Sequence, residues 1–185
     1  KVVNAAIDAG TIDGFVDGTK FVDDIPYAVA TAYLFQATGA HTLTFEATST
    51  AGAAIASLQR TLESTSDISV LVVGFPGAVQ AIAFADDNIS PLVGQCRVRF
   101  VNASSDNAAY DVYVGDTKQV SALAARTASE YVTLVPATYT FTFRDPVSGA
   151  TVLTLADQAI GEGRVATFYA AGAVGQLSSI ASTDR

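Results

Sequence analysis

The sequence predicts an all-β protein made of two tandem antiparallel β-sandwich domains of the immunoglobulin-like type. Three observations lead to this fold class: a long internal repeat, alternation of apolar with polar residues, and turn-forming residues every eight to twelve positions or so. The stretch VNAAIDAGTIDGFVDGTK, which begins at Val3, returns as VNASSDNAAYDVYVGDTK from Val101. Two nearly equal stretches so far apart predict two copies of one domain.

The repeat has an offset of 98 residues. Residues 1–87 align with residues 99–185 without a gap, and 19 of the 87 pairs are identical. Identities are frequent in the first half of each copy and near its end, and the middle leaves room for a compensating insertion and deletion. A period of this length fits a whole domain. We therefore expect a first domain at 1–87, a linker at 88–95 and a second domain at 96–185.

Strand periodicity is visible inside each copy. Residues 138–143 read TYTFTF, which places aromatic side chains on one face and threonines on the other, and residues 41–45 repeat the pattern as HTLTF. Asp17-Gly18 and Gly115-Asp116 separate strand-like runs and predict hairpin turns. Residues 121–128 are the best candidate for a short helical turn. Seven or eight short strands per copy are expected.

One uncharged run covers residues 68–85, with Gly74, Pro76 and Gly77 in its middle. A proline between two glycines is typical of a turn. We interpret the run as two apolar strands, each too short to span a membrane as a helix.

Charge and composition narrow the class of protein. A net charge of −8 and a pI near 4.4 disfavour binding to nucleic acid or to anionic lipid. Abundant small residues without methionine or tryptophan resemble exported microbial proteins. The sequence begins with Lys1 rather than methionine, so we expect a removed signal segment and a secreted or cell-surface location.

Candidate catalytic groups do not form a recognisable set. Cys96 is the single cysteine and is expected to be a small apolar residue at the start of a strand. His41, the single histidine, aligns with Tyr139 and is expected to be partly buried rather than a general base. The two belong to different copies, which disfavours a nucleophile–base dyad. The glutamates lack equivalents in the other copy, so we predict no enzyme: Glu46, Glu63, Glu130 and Glu162.

Aspartates gather near the start of each copy. Carboxylates in loops can bind Ca²⁺, but their spacing matches no EF-hand pattern, and aspartates in turns commonly accept bonds from backbone amides. We favour the turn interpretation, expect no cofactor, and keep calcium as the weaker alternative. The aspartates concerned are Asp8, Asp13, Asp17, Asp23 and Asp24, with Asp106, Asp111 and Asp116 in the second copy.

The sequence also predicts roles for two asparagines and two tyrosines. Asn88 and Asn102 lie in glycosylation sequons, but Asn102 aligns with Asn4, which favours a structural turn for it. Tyr33 and Tyr131 hold equivalent places ahead of a turn. We expect both hydroxyls to bond to backbone, as tyrosines do at sandwich corners.

The runs VRFVNASSDNAAYDVYVGDTK and SEYVTLVPATYTFTF resemble the opening strands of the family called domain of unknown function 4397. In the first copy IDGFVDG and TAYLFQATGAHTLTF occupy the same places. The resemblance implies a β-sandwich in an exported or surface-anchored protein and brings no catalytic residues. Gly14 stands where the second copy has Val112, so we expect a bulge or a close backbone approach there.

Two differences between the copies favour a role in assembly. The first copy is more apolar at residues 70–84 than the second is at residues 168–182, and either the second copy or another subunit could cover these strands. The first copy also begins at the equivalent of Arg99, so that its first strand lacks the counterpart of residues 96–98. A shortened strand at a sheet edge can accept a strand from another chain. Arg185 aligns with Asp87, where the first copy leads into the second, and a head-to-tail contact imitating that junction would propagate as a filament.

We therefore predict a non-enzymatic structural protein of the cell surface or extracellular space that assembles with itself. The alternative is a monomeric adhesion or ligand-binding module that binds other surface proteins or glycans through its loops. The residues predicted to lie at the assembly interface are Lys1, Val2, Val3, Val70, Val72, Val79, Phe84, Cys96 and Val98.

Overall fold

A computed structural model describes residues 1–106 and 108–185. Its regular structure is all β, apart from one 3₁₀ turn at Thr48–Thr50. The chain divides into two compact units, Lys1–Asp87 and Asn88–Arg185. Among these described residues, no helix is long and apolar enough to cross a membrane. The predicted all-β class with tandem sandwiches is confirmed.

The first unit packs two four-stranded sheets around one apolar core. One sheet has the order β4-β1-β7-β8 and the other β3-β2-β5-β6. Inward-facing residues from both sheets, among them Ile12, Phe45 and Val72, are fully buried. The strands are β1 (Val2–Ala6), β2 (Ile12–Val16), β3 (Thr19–Ile25), β4 (Val29–Ala30), β5 (Gly39–Ala47), β6 (Ala54–Leu62), β7 (Asp67–Gly74) and β8 (Gln80–Asp86).

The second unit repeats this arrangement with one extra strand. Its sheets have the orders β12-β9-β16-β17 and β11-β10-β14-β15, and β13 also pairs with β9. Its core is more aromatic, with Phe100, Phe141 and Phe168 packed ring against ring. The strands are β9 (Cys96–Ser104), β10 (Tyr110–Val114), β11 (Thr117–Leu123), β12 (Thr127–Ala128), β13 (Val132–Leu134), β14 (Ala137–Arg144), β15 (Thr151–Ile160), β16 (Val165–Ala173) and β17 (Gln176–Thr183).

Each sandwich contains one parallel strand pair among its antiparallel pairs. β1 runs parallel to β7, with Val2 facing Val70, and β9 runs parallel to β16, with Phe100 facing Phe168. The first strand of each copy therefore lies inside its sheet, because it has a second partner on its other side. Periodicity alone does not distinguish parallel from antiparallel pairing, since both have a period of two.

The predicted turns are present. Val16 faces Thr19 across Asp17-Gly18, and Val114 faces Thr117 across Gly115-Asp116, so both hairpins have two-residue loops. The uncharged run at residues 68–85 forms β7, a turn and β8, as predicted.

The helical turn predicted for residues 121–128 is wrong. The segment continues β11 to Leu123, turns, and enters β12. Ala122 has a φ of +46°, which no right-handed helix contains. Its N–H donates to the carboxylate of Asp111, and this bond stabilises a bulge in place of a helix.

The structure locates a compensating insertion and deletion in the middle of the repeat. Phe45 faces Ala56, whereas its equivalent Phe143 faces Leu153, one position earlier than the 98-residue offset predicts. The connection after β14 is therefore one residue shorter. Register is restored beyond an irregularity near Asp157, whose φ is +55°.

Candidate functional site

The asparagines shared by the two copies stabilise the backbone of their own sandwich. The Nδ2 atom of Asn4 donates to the carbonyls of Gly10 and Ile25, at 3.0 and 2.9 Å, and its Oδ1 accepts the N–H of Ala6. Asn102 makes the same three bonds in the second sandwich. The role of Asn102 is therefore structural, but the turn predicted for it is wrong, because Asn102 lies within strand β9. Its side chain is fully buried, so its sequon is inaccessible in the folded chain.

A second shared pair, an aspartate with a lysine, supports the bulge between neighbouring strands. Asp13 accepts the Lys20 ammonium at 2.8 Å and the N–H of Asp24 at 2.9 Å. The Asp111 carboxylate accepts a hydrogen bond from the Lys118 ammonium at 2.5 Å and one from the Ala122 N–H at 2.8 Å. These bonds lower the pKa of both carboxyl groups. The repeated charged residues are thus explained by the fold.

The carboxylates of Asp13, Asp23 and Asp24 have oxygens within 4.8 Å of one another. The Lys20 ammonium lies 2.7 Å from Asp23 as well as 2.8 Å from Asp13, and Asp24 accepts the hydroxyl of Thr48. A lysine therefore supplies the positive charge at this cluster. In the second copy, residues 121 and 122 are serine and alanine, so the cluster is not repeated.

His41 is held by both of its ring nitrogens. Nδ1 lies 2.6 Å from Asp17 Oδ2, and Nε2 lies 3.0 Å from the carbonyl oxygen of Ala37. The bond to Asp17 is the main reason that the pKa of His41 is raised. Its side chain is 14% exposed, so the partly buried position predicted for it is confirmed. The sequence did not predict Asp17 as its partner.

Cys96 begins β9 and is fully buried. Its Sγ contacts the carbonyls of Leu134 and Val135, at 3.5 and 3.6 Å, and burial raises the pKa of the thiol. A thiol that is kept neutral and covered is a poor nucleophile. The prediction of a small apolar residue at a strand start is confirmed.

The backbone partner predicted for the Tyr33 hydroxyl is wrong. It donates to Asp86 Oδ2 at 2.5 Å, and the Ser69 hydroxyl donates to the same oxygen at 2.6 Å. The Lys1 ammonium lies 3.3 Å from the Tyr33 hydroxyl and 3.9 Å from Asp86. A buried carboxylate attracts these donors because its charge is otherwise costly in the interior.

The residues predicted to form an assembly interface are buried or half-buried. Apolar side chains inside a sandwich core stabilise that core and are not exposed to another chain. Val2, Val70 and Val72 belong to the core of the first sandwich, Cys96 and Val98 to that of the second, Lys1 and Val3 are buried, and Val79 and Phe84 are half-buried.

A groove of about 350 Å³ opens in the first sandwich, between residues 34–36 and the start of β7. Its floor includes Val2, Leu43 and Val70, and residues 63–68 form the opposite wall. In the 98-residue alignment, this is the place of the first three residues of β9. The groove lies within the sheet. The sequence had predicted an opening at an outer edge of the sheet.

The second sandwich fills the equivalent place with its own chain. Cys96, Arg97 and Val98 pair antiparallel with β13, whose residues are 132–134. On their other side, Arg97 and Val98 pair in parallel with β16. Arg97 and Val98 thus lie between two partner strands, and Cys96 pairs with β13.

The corresponding part of the first sandwich is open to solvent. Residues 34–36 form no strand, and among the described residues their backbone groups make no backbone hydrogen bond. Leu34 is 41% exposed and Phe35 is fully exposed, whereas their equivalent strand β13 packs Val132 and Leu134 against the core. Exposed apolar side chains beside unpaired backbone are typical of a binding surface.

Gly14 is closely approached, but by side chains and not by backbone. A Cβ atom at Gly14 would lie 2.5 Å from Val22 Cγ2 and 2.9 Å from Phe21 Cε1. The Phe21 ring also lines the groove. The bulge expected here is present, and the second copy has it too.

The sequence pattern of one family matches both copies. It is described as a domain of unknown function, DUF4397, and the matches cover residues 1–109 and 97–185. No curated protein matches the sequence. Because the two matches together cover the whole chain, the protein belongs to the DUF4397 family.

Proposed function

We propose that the protein is a non-enzymatic structural module of the cell surface or extracellular space, and that its copies assemble head to tail. In this assembly, a strand of one copy enters the groove in the first sandwich of the next. The observation that carries the proposal is the apolar groove of the first sandwich, beside which Leu34 and Phe35 are exposed.

Strand addition suits this groove physically. An added strand would bond to the backbone of residues 34–36 on one side and of residues 66–67 on the other. It would also cover Leu34 and the apolar floor. The equivalent place in the second sandwich holds one strand, which pairs with β13 on one side and with β16 on the other.

The environments of the chemical groups support a role without catalysis. The shared asparagines and aspartates bind backbone within their own sandwich. Both ring nitrogens of His41 are engaged, and the thiol of Cys96 is buried. Since Nε2 of His41 faces a backbone carbonyl and the Cys96 sulfur is covered, neither group is placed to reach a substrate.

The repeat favours a head-to-tail contact over a symmetric one. Arg185 is the equivalent of Asp87, and the eight residues 88–95 lead from Asp87 to the segment that fills the second sandwich. A contact that repeats this order joins two different surfaces. Such a heterologous contact does not close unless it forms a ring, and it yields a filament.

The test is the size of the full-length protein and of two variants. Light scattering after size exclusion, with negative-stain microscopy, should show filaments of the unsubstituted protein and a predominantly monomeric Leu34→Lys variant. The lysine removes an apolar contact at the groove and resists strand addition. A monomer of the unsubstituted protein, near 19.0 kDa, would reject the proposal.

Val29→Lys is the matched control, since Val29 is 40% exposed and lies in β4, outside the groove lining. It should assemble like the unsubstituted protein. If both lysine variants lose assembly equally, the groove is not the contact.

A further inference from the structure

We infer that protonation of His41 controls whether residues 34–38 are tied to β5 of the first sandwich. The protonated ring holds the carbonyl of Ala37, and the neutral ring releases it. This pH-dependent tether belongs to one sandwich and does not depend on assembly of the chain.

The geometry requires a hydrogen on both ring nitrogens of His41. Nδ1 lies 2.6 Å from Asp17 Oδ2, and Nε2 lies 3.0 Å from the carbonyl oxygen of Ala37. A carboxylate oxygen and a carbonyl oxygen accept hydrogen bonds without donating them, and only the imidazolium has an N–H on each nitrogen. The two bonds therefore exist together only while His41 is protonated.

Loss of the proton breaks the bond to Ala37 and keeps the bond to Asp17. A hydrogen bond to a charged carboxylate is stronger than one to a neutral carbonyl, so the remaining hydrogen of the neutral ring stays on Nδ1. The Nε2 proton passes to water. The Nε2 lone pair then faces the lone pairs of the Ala37 oxygen, and this contact is repulsive.

The charges around His41 set the pH at which the tether is lost. Asp17, in the turn between β2 and β3, is the main reason that the pKa of His41 is raised. Arg60 faces His41 across β5 and β6 and opposes protonation, but its side chain is exposed. Residues 31–38 contain no charged side chain. The tether is therefore present at low pH and is lost as the pH rises through the folded pKa of His41.

The second sandwich makes the same tether with a group that does not titrate near neutral pH. Tyr139 is the equivalent of His41. Its hydroxyl donates to the carbonyl of Val135, the equivalent of Ala37, at 2.6 Å. Burial raises the pKa of Tyr139, so this donor keeps its proton. In place of Asp17 the second copy has a glycine, so the carboxylate accompanies the histidine and is missing beside the tyrosine.

The tethered segment carries exposed apolar side chains, Leu34 and Phe35. Before them, Thr31 is bound to β1, since its N–H donates to the carbonyl of Val2. After them, the bond from His41 to Ala37 is the anchor. When that bond is lost, residues 34–38 become more mobile.

The test is NMR of the full chain between pH 5.5 and 8.5, with ¹⁵N in the histidine ring and in the backbone. Both ring nitrogens of His41 should be protonated at low pH, and Nδ1 alone at high pH. The amide shifts of residues 36–38 should follow the same midpoint, and their order parameters should fall from about 0.85 below it to about 0.6 above it. Residues 133–135, beside the tyrosine tether, are the control within the molecule and should not change.

Two variants separate the tether from a general effect of pH. His41→Tyr copies the second sandwich, so residues 36–38 should stay ordered at pH 8.5 and lose their pH response. Asp17→Asn should lower the midpoints of His41 and of residues 36–38 together, because the charge that favours the imidazolium is removed. It decides the question if His41→Tyr does not fold.

Titration of His41 without a change at residues 36–38 would overturn the inference. So would a pH response of these residues that persists in His41→Tyr, or midpoints that move apart in Asp17→Asn. A monomeric protein that shows the common midpoint would retain the inference and reject the proposed function. Filaments of a protein without that midpoint would do the reverse.

Discussion

The Nδ1 atom of His41 lies 2.6 Å from an oxygen of the Asp17 carboxylate, at the turn between β2 and β3. Asp17 also accepts the N–H of Thr42, at 2.8 Å, so the carboxylate joins the turn to β5. This bond to Thr42 and the one from His41 lower the pKa of Asp17, while the bond to Asp17 raises the pKa of His41. The pair is therefore most favourable when both groups are charged.

Stability should depend on pH through His41. Its pKa is higher in the folded chain than the value near 6.5 expected after unfolding, so protonated His41 stabilises the fold below about pH 6.5. This contribution is lost as the pH rises through the folded pKa. The difference in Tm between the unsubstituted protein and His41→Gln should be largest near pH 6 and should shrink towards pH 8.5. A difference that stays constant over this range would contradict the assignment.

Asp111→Asn should destabilise the second sandwich by about 1.5–3 kcal/mol at pH 7, because the charged bonds to Lys118 and to the Ala122 N–H are weakened. The pKa of Asp111 is lowered, chiefly by Lys118. Its contribution is therefore present above about pH 4 and lost as the pH falls through the folded pKa. Chemical denaturation at pH 7 and pH 3 measures both effects. Asp116→Asn, at an exposed turn position, should change the free energy of unfolding by less than about 0.5 kcal/mol.

Tyr110→Phe should stabilise the second sandwich by roughly 1 kcal/mol. The Tyr110 hydroxyl is buried and has no hydrogen-bond partner among the described residues, and burial raises its pKa to about 12. Removing an unsatisfied buried hydroxyl removes its desolvation cost. Tyr139→Phe is the matched control, because the Tyr139 hydroxyl donates to the Val135 carbonyl at 2.6 Å and its loss should be destabilising. Guanidinium denaturation compares the two, and a destabilised Tyr110→Phe protein would argue for an unseen partner.

The Cys96 thiol should be unreactive in the folded protein. Burial both covers the sulfur and raises its pKa, so the reactive thiolate is scarce. A disulfide reagent at pH 8 should label the native protein orders of magnitude more slowly than the protein in guanidinium, limited by the rate of opening. Rapid labelling under native conditions would show that the first residues of β9 separate readily from β13.

Much of the fold could be predicted because the signals are local. The two-residue turns at Asp17-Gly18 and Gly115-Asp116, and the alternation in residues 138–143, depend on neighbours in the chain. The repeat then extended each local prediction to a second copy. The failed helical turn at residues 121–128 had the composition of a helix. It is a bulge because the Asp111 carboxylate, 11 residues away in sequence, accepts a hydrogen bond from the Ala122 N–H.

The partners of the polar groups could not be predicted, since they come together only through strand register. His41 meets Asp17 because Val16 faces Leu43. Tyr33 meets Asp86, 53 residues later, because β1, β7 and β8 lie side by side.

The sequence by itself determined the all-β class and the duplication. These properties are written in periodicity and alignment, which need no knowledge of contacts. Only the tertiary structure decided that the first sandwich has an apolar groove inside a sheet and not at a free outer edge. The reason is the parallel pairing of β1 with β7: it places the end of the first strand between two partners, and pairing between distant segments is a property of the folded chain alone.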